Sequence, residues 1–112
     1  MIRVEITRDG RGRVTWFKSE GHSGIGPPGA DIVCAGVSAI TQTAALGLRR
    51  IGALRSVTAD SGLFSCSVDP DRSGAEAVTE AMILGLTEIA GQYPTGVEII
   101  DPDHTKTRSE KT

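Results

Sequence analysis

Apolar and polar residues alternate over residues 2–7, so that isoleucine and valine side chains share one face. Alternation with a period of two residues indicates a half-buried strand. The Asp9-Gly10 dipeptide that follows favours a hairpin turn, and residues 14–20 have the pattern of the partner strand. Because this second strand is predicted to end next to His22, that histidine should lie where a strand passes into a loop, a common position for functional groups.

Two longer segments repeat apolar residues at the spacing of a helix. The first follows Asp31, a good N-cap residue, and is predicted to stop near Gly52. The second is predicted to begin with Ser73 as its cap and to end between residues 91 and 94. The predicted core stripes are Val33, Val37, Ile40, Ala44, Leu48 and Ile51 in the first helix, and Ala75, Val78, Met82, Leu86 and Ile89 in the second.

Three further short strands complete the pattern, at residues 56–60, 63–68 and 96–100. The predicted order is β-β-α-β-β-α-β, which describes an α+β fold with two helices packed on a small mixed or antiparallel sheet. We assign residues 1–101 to one compact domain and residues 102–112 to a polar tail, and we expect the chain to be frayed from Asp101 onward. Such a small sheet leaves unpaired backbone groups at its edges, which a second copy of the chain could cover.

Composition and charge exclude several classes of function. The 112 residues carry a net charge of −2, which gives no broad attraction to nucleic acid. We find no run close to the ~20 apolar residues of a membrane span. The first residues lack the basic and apolar segments of a signal peptide, so we expect a cytoplasmic protein.

The cysteines show neither a CxxC pair nor the spacing of a zinc site. We therefore expect two separate thiols in a reducing compartment, and no metal. Cys66 would lie on the inward face of a strand, where packing in the core is the simplest role. The second histidine, His104, falls in the tail and should be solvated, so neither residue is expected to join a site.

Cys34 and His22 are the candidate chemical pair. Cys34 would be the third residue of the first helix, and a helix N-terminus and a nearby imidazolium both favour the thiolate over a thiol of pKa about 8.5. Such a thiolate can attack a carbonyl while the histidine passes its proton to the leaving amine, and free N–H groups at the helix end could hold the oxyanion. The alternative is that Cys34 packs in the core and His22 is a surface loop residue.

Neighbouring polar residues leave further alternatives open. Asp31 is either simply the N-cap or a third member that orients His22, although its charge would oppose the thiolate. Ser38 lies one helical turn after Cys34 and either bonds the sulfur or belongs to a polar patch. Residues 23–30, rich in glycine and proline, form either a plain connection or a mobile flap over a cleft.

The combination of Gly21-His22, the glycine-rich loop, Asp31-Ile32-Val33-Cys34-Ala35 and Ser38 resembles the ribosomal-processing cysteine protease Prp family, over roughly residues 1 to 101. The resemblance implies a bacterial, homodimeric endopeptidase without cofactor. Its substrate would be the precursor of the large-subunit ribosomal protein numbered twenty-seven, from which it removes an N-terminal extension.

The same resemblance assigns roles to residues. It implies that His22 is the catalytic histidine, that Cys34 is the nucleophile, and that a mobile substrate-gating loop lies between them. The loop residues are Ser23, Gly24, Ile25, Gly26, Pro27, Pro28, Gly29 and Ala30, and the Pro27-Pro28 pair, a departure from the more polar loop of the family, would stiffen it. The alternatives are a non-catalytic, ribosome-associated peptide-binding module and a redox-sensing thiol.

Overall fold

The computed structural model describes residues 1–24 and 31–102. The described elements follow the predicted order, and the α+β prediction is confirmed. The elements are β1 (Ile2–Arg8), β2 (Val14–Glu20), α1 (Ile32–Arg50), β3 (Leu54–Asp60), β4 (Leu63–Val68), α2 (Ala75–Gln92) and β5 (Val97–Ile100).

The sheet has the strand order β3-β4-β2-β1-β5, which was not determined from the sequence. The three pairs β1–β2, β2–β4 and β3–β4 are antiparallel, whereas β5 runs parallel to β1. The mixed sheet was one of the two predicted alternatives. Its order leaves β3 and β5 as the two edge strands.

Both helices cover the same face of the sheet. Alternate strand residues such as Val4, Phe17 and Cys66 join one core cluster with Val37 of α1 and Leu86 of α2. The residues between them face the other side, which has no helix on it among the described residues. The shortest extent of the molecule, 16 Å, fits two layers of secondary structure.

The core stripe of α1 is largely as predicted, with one polar addition. Val33, Val37, Ala44 and Leu48 are buried, and the other two predicted residues are partly buried. Thr41 is also fully buried, because its hydroxyl donates to the carbonyl of Val37 at 3.0 Å and so needs no water. A search for apolar residues alone passes over such a position.

The helix α1 also corrects the expectation about membrane spans. It is long enough and, with a mean hydropathy of 1.3, apolar enough to meet the length and composition criteria for a span. Alanines contribute to this value, so it does not require a run of large apolar residues. Its buried stripe packs against the sheet and α2, which is also the arrangement of a core helix in a globular domain.

The start of α2 differs from the prediction. Its N-cap residue is Gly74, with φ +93°, and no side chain caps the helix, so the expectation for Ser73 is wrong. The chain enters α2 through a tight turn in which the N–H of Ala75 donates to the carbonyl of Arg72 at 3.1 Å. Glycine takes the left-handed conformation that this entry requires, and the helix therefore begins one residue later than a serine cap would allow.

The expectation of a frayed chain from Asp101 onward is wrong at its first residue. The carboxylate of Asp101 is fully buried and accepts two hydrogen bonds from the guanidinium of Arg8, at 2.9 and 2.8 Å. The partner is 93 residues away in the sequence, so local composition could not reveal it. The predicted tail from 103 onward, with His104, lies outside the described residues.

Candidate active site

His22 is held between the end of β2 and the turn that joins β3 to β4. The N–H of Gly21 donates to the carbonyl of Gly62 in that turn at 2.9 Å. Both glycines have positive φ, +101° and +71°, which other residues rarely adopt. A Cβ on Gly62 would lie 3.6 Å from Nε2 of His22, so the turn lies directly beside the imidazole.

Cys34 approaches the histidine from the first turn of α1. Its Sγ atom lies 4.0 Å from Nδ1 of His22, at the outer limit of a hydrogen bond to sulfur. The fold therefore brings the two predicted residues together, one from a strand end and one from a helix start. Cys34 is partly exposed rather than sealed in the core, so reagents and substrates can reach it.

Asp31 is the N-cap of α1, as predicted. Its Oδ1 atom accepts the backbone N–H groups of Val33 and Cys34, both at 3.0 Å. Two N–H groups that were expected to be free for an oxyanion are therefore occupied by the cap. They are engaged because a carboxylate at the N-cap reaches back to the donors of the first helical turn.

The other oxygen of Asp31 belongs to the cysteine rather than the histidine. Its Oδ2 atom accepts the S–H of Cys34 at 3.0 Å and also the hydroxyl of Ser23. The backbone N–H of Ser23 in turn donates to the sulfur at 3.4 Å. The described contacts of Asp31 thus support the cap and the thiol, and none of them orients His22.

These contacts set the charge state of the thiol. Burial and the neighbouring carboxylate of Asp31 raise the pKa of Cys34, and the N–H of Ser23 only partly opposes them. The S–H group of Cys34, followed by the hydroxyl of Ser23, holds the pKa of the Asp31 carboxyl well below its usual range. The expectation that the helix end favours a thiolate is therefore wrong for this state, because burial and an adjacent negative charge outweigh it.

A cavity of about 220 Å³ opens beside the sulfur. Ser38 lies on its wall one turn after Cys34, and its side chain is exposed. The opposite wall comes from the β3–β4 hairpin, including Ala59, Leu63 and Phe64. Nothing in the motif points to this wall, because the hairpin lies far from it in the sequence and a Ser-Gly turn by itself indicates no function.

Most of the predicted gating loop lies outside the described residues. Within 23–30, only Ser23 and Gly24 are described, and Ser23 is 4% exposed. Its contacts with Asp31 and Cys34 place it at the site. The role predicted for 25–30 and the Pro27-Pro28 pair stays a prediction.

Cys66 lies apart from this site. It is 1% exposed in the core, as predicted, and burial raises the pKa of its thiol to about 11. Within residues 1–24 and 31–102, no group of three histidine, cysteine or acidic side chains is arranged to hold a metal ion.

Comparison with known proteins gives consistent results. The profile of the family described as Cysteine protease Prp matches residues 1–98. The ribosomal processing cysteine protease Prp of Staphylococcus aureus (strain Mu50) is 32% identical over 103 residues, which cover 88% of this chain and 97% of that protein. The protein of the same name from Bacillus subtilis (strain 168) is 30% identical over 107 residues, covering 88% and 96%.

Solved structures extend the comparison to the fold. The S. aureus protease Prp with a covalently linked product peptide has a TM-score of 0.82 at 31% identity, covering 89% of this chain and 98% of that one. Its complex with a substrate peptide has a TM-score of 0.76 at 30% identity, covering 88% and 97%. The match over nearly the whole chain shows that this protein belongs to the Prp family and is a cysteine protease.

Proposed function

We propose that the protein is an endopeptidase that removes the N-terminal extension from the precursor of the large-subunit ribosomal protein numbered twenty-seven. The observation that carries this proposal is the 4.0 Å approach of His22 Nδ1 to Cys34 Sγ beside an open cavity. Support comes from the relatives, which are named ribosomal processing proteases, and from the S. aureus structures with substrate and product peptides.

The proposed reaction begins with a proton transfer. The S–H group turns from Asp31 Oδ2 toward Nδ1 of His22, which accepts the proton in the tautomer protonated on Nε2. The thiolate attacks the scissile carbonyl carbon, and the amide bond breaks as His22 returns the proton to the leaving amine. A water, deprotonated by His22, then hydrolyses the thioester and releases the acid product and the free thiol.

One part of the cavity wall suits an apolar side chain, whereas polar residues such as Glu20 and Asp60 line the rest. Val37 and Phe64 line the apolar part beside the sulfur, and Leu63 adds a third apolar side chain. A buried apolar side chain gains about 1.5–3 kcal/mol over an exposed one, which raises the affinity for a peptide roughly 10- to 100-fold. Asp31 would support the site by fixing the start of α1 and the position of the resting thiol, although its charge opposes the thiolate. Ser38 would support the reaction by hydrogen bonding at the cavity wall.

We also propose that the protein works as a cytoplasmic homodimer. A groove of about 440 Å³ between α1 and α2 supports a self-association surface, since its described lining carries no charged residue. Ala39 and Ala81 lie on opposite sides of it. Light scattering on the purified protein should give twice the chain mass, and replacing Ala81 with glutamate should give the monomer mass.

The proposed function is tested with a peptide that carries the extension and the adjoining residues of the ribosomal protein. We expect cleavage by the wild type and a loss of at least about a thousandfold in kcat/KM for Cys34→Ala and for His22→Ala, because each removes half of the nucleophile–base unit. Cys66→Ala is the matched control, since it removes a thiol outside the site and should keep activity. Full activity in either site variant would contradict the dyad, and binding without cleavage by the wild type would favour the peptide-binding module.

A further inference from the structure

The edge strand β3 carries an exposed apolar residue, Val57, on the helix side of the sheet. Val57 is in register with Cys66, so both residues belong to the same face. Cys66 is 1% exposed, whereas Val57 is 45% exposed, although both lie on the helix side of the sheet. Val57 therefore lies outside the core, although valine is a typical core residue.

A leucine from α1 faces the same open space. Leu46 is 59% exposed and lines, together with Val57 and Leu54, a groove of about 210 Å³ between α1 and β3, here called the outer groove. Single exposed apolar residues are normal on a protein surface. Here two of the most exposed ones, from two different elements, line one concave surface.

The outer groove continues from the active-site cavity. Gln42 and Phe64 line both of them, so the two spaces adjoin. Along α1, the twelve residues from Cys34 to Leu46 correspond to about 18 Å at 1.5 Å per residue. An extended peptide rises about 3.3 Å per residue, so a chain lying across Cys34 reaches Leu46 about five residues from the scissile bond.

We propose that the outer groove binds an apolar side chain of the substrate peptide, about five residues from the bond that is cut. The proposal rests on the proposed function and extends it from the reacting bond to a second point of recognition. Its occupant is an extended peptide segment, because the groove is continuous with the cavity that holds the nucleophile. Leu46 and Val57 would then determine specificity without touching the reacting atoms.

The test measures the affinity of a fluorescently labelled extension peptide for the inactive Cys34→Ala protein. Leu46→Gln in this background should weaken binding about tenfold, since the glutamine keeps the size and the helix propensity of leucine but not its apolar surface. Val57→Thr, nearly the same shape, should weaken binding in the same direction. The matched control is Leu84→Gln on α2, where the leucine is similarly exposed at 56% and does not line the groove.

Shortened peptides distinguish a direct contact from a change of structure. Removing residues one at a time from either end should reach a length at which Leu46→Gln and its parent bind equally, and that length locates the contact. A deficit that persists for the shortest peptide that still binds would overturn the proposal, as would unchanged affinity for the full peptide. If Leu46→Gln instead leaves the peptide affinity unchanged and alters only the oligomer mass measured by light scattering, a second copy covers the groove and the proposal is wrong.

The outcome also separates this inference from the proposed function. Cleavage of the peptide by the wild type with unchanged affinity in Leu46→Gln overturns the outer groove alone. Failure of the wild type to bind or cut the extension peptide overturns the proposed function and the groove proposal together.

Discussion

At the scale of single residues, Cys34 lies between two groups that can accept a hydrogen bond from its thiol. The carboxylate of Asp31 is 3.0 Å from the sulfur and the imidazole of His22 is 4.0 Å away. The resting state is therefore a thiol bonded to the helix cap. Because the cap residue is three positions before the proposed nucleophile, the group that starts α1 also opposes the charge that the proposed reaction needs.

Replacing Asp31 with asparagine should lower the pKa of Cys34. Asparagine is an equally good N-cap, so the helix start is kept, but the negative charge that disfavours the thiolate is gone. The measurement is the rate of iodoacetamide alkylation of Cys34 against pH, whose midpoint should move to lower pH. The pH at which cleavage reaches half its maximum should move in the same direction.

Ser23→Ala is the opposing control for this prediction. The hydroxyl of Ser23 lowers the pKa of Cys34 and shares the Asp31 carboxylate with the thiol. Without the hydroxyl, the alkylation midpoint should therefore rise. An unchanged midpoint in Asp31→Asn, or shifts of the same sign in both variants, would show that the carboxylate does not control the thiol.

At the scale of elements, the β3–β4 turn forms the support for the histidine. Gly21 at the end of β2 bonds the carbonyl of Gly62, and the turn lies against the ring of His22. The hairpin thus fixes the position of the proposed catalytic histidine. The edge of the sheet is for this reason part of the active site.

Alanine substitutions at three glycines should separate these contacts. Gly62→Ala should lower the free energy of unfolding by about 1–2 kcal/mol, because alanine must adopt a left-handed conformation there. Gly21→Ala should cost more, since its Cβ would also lie 2.6 Å from the carbonyl oxygen of Met1. Gly10→Ala, with no atom within 4 Å of its Cβ, is the control and should change stability little.

Urea unfolding monitored by circular dichroism gives the three values. Equal stability of Gly10→Ala and Gly21→Ala would contradict the close approach at the end of β2. A Gly62→Ala protein that is as stable as the wild type would show that the turn can change its conformation without cost.

Local patterns predicted those elements whose signals are contained in a few residues. The bounds of β2 and β4 and the cap at Asp31 follow from alternation and from the preference of aspartate for the N-cap. The start of α2 was not predicted, because the glycine at its N-cap supplies a left-handed backbone conformation and no capping side chain. The pairing of His22 with Cys34 was predictable from the motif, but the hairpin behind His22 depends on tertiary contacts.

At the scale of the whole molecule, an ion pair joins the first strand to the residue after the last one. Arg8 at the end of β1 holds the buried carboxylate of Asp101, next to the parallel pairing of β1 with β5. The sheet order brings these residues together over 93 positions. The net charge of the sequence carries no information about such a pair.

Asp101→Ala should lower the free energy of unfolding by about 3 kcal/mol, because it leaves the largely buried guanidinium of Arg8 without this carboxylate. Glu98→Ala is the matched control on the same two strands. Its ion pair with Arg3 is exposed, with side chains 66% and 50% accessible, and should be worth less than about 1 kcal/mol. Chemical denaturation should show this difference, and equal effects in the two variants would contradict the burial of Asp101.

The burial of Cys66 has a practical consequence for studying the enzyme. Because this thiol is sealed in the core with its pKa raised to about 11, the native protein offers electrophiles a single reactive sulfur. A mass increase of one adduct per chain then counts accessible Cys34 thiols directly, without any cysteine being removed by mutation. A second adduct would report that the domain has opened, so one spectrum distinguishes an occupied catalytic centre from a damaged preparation.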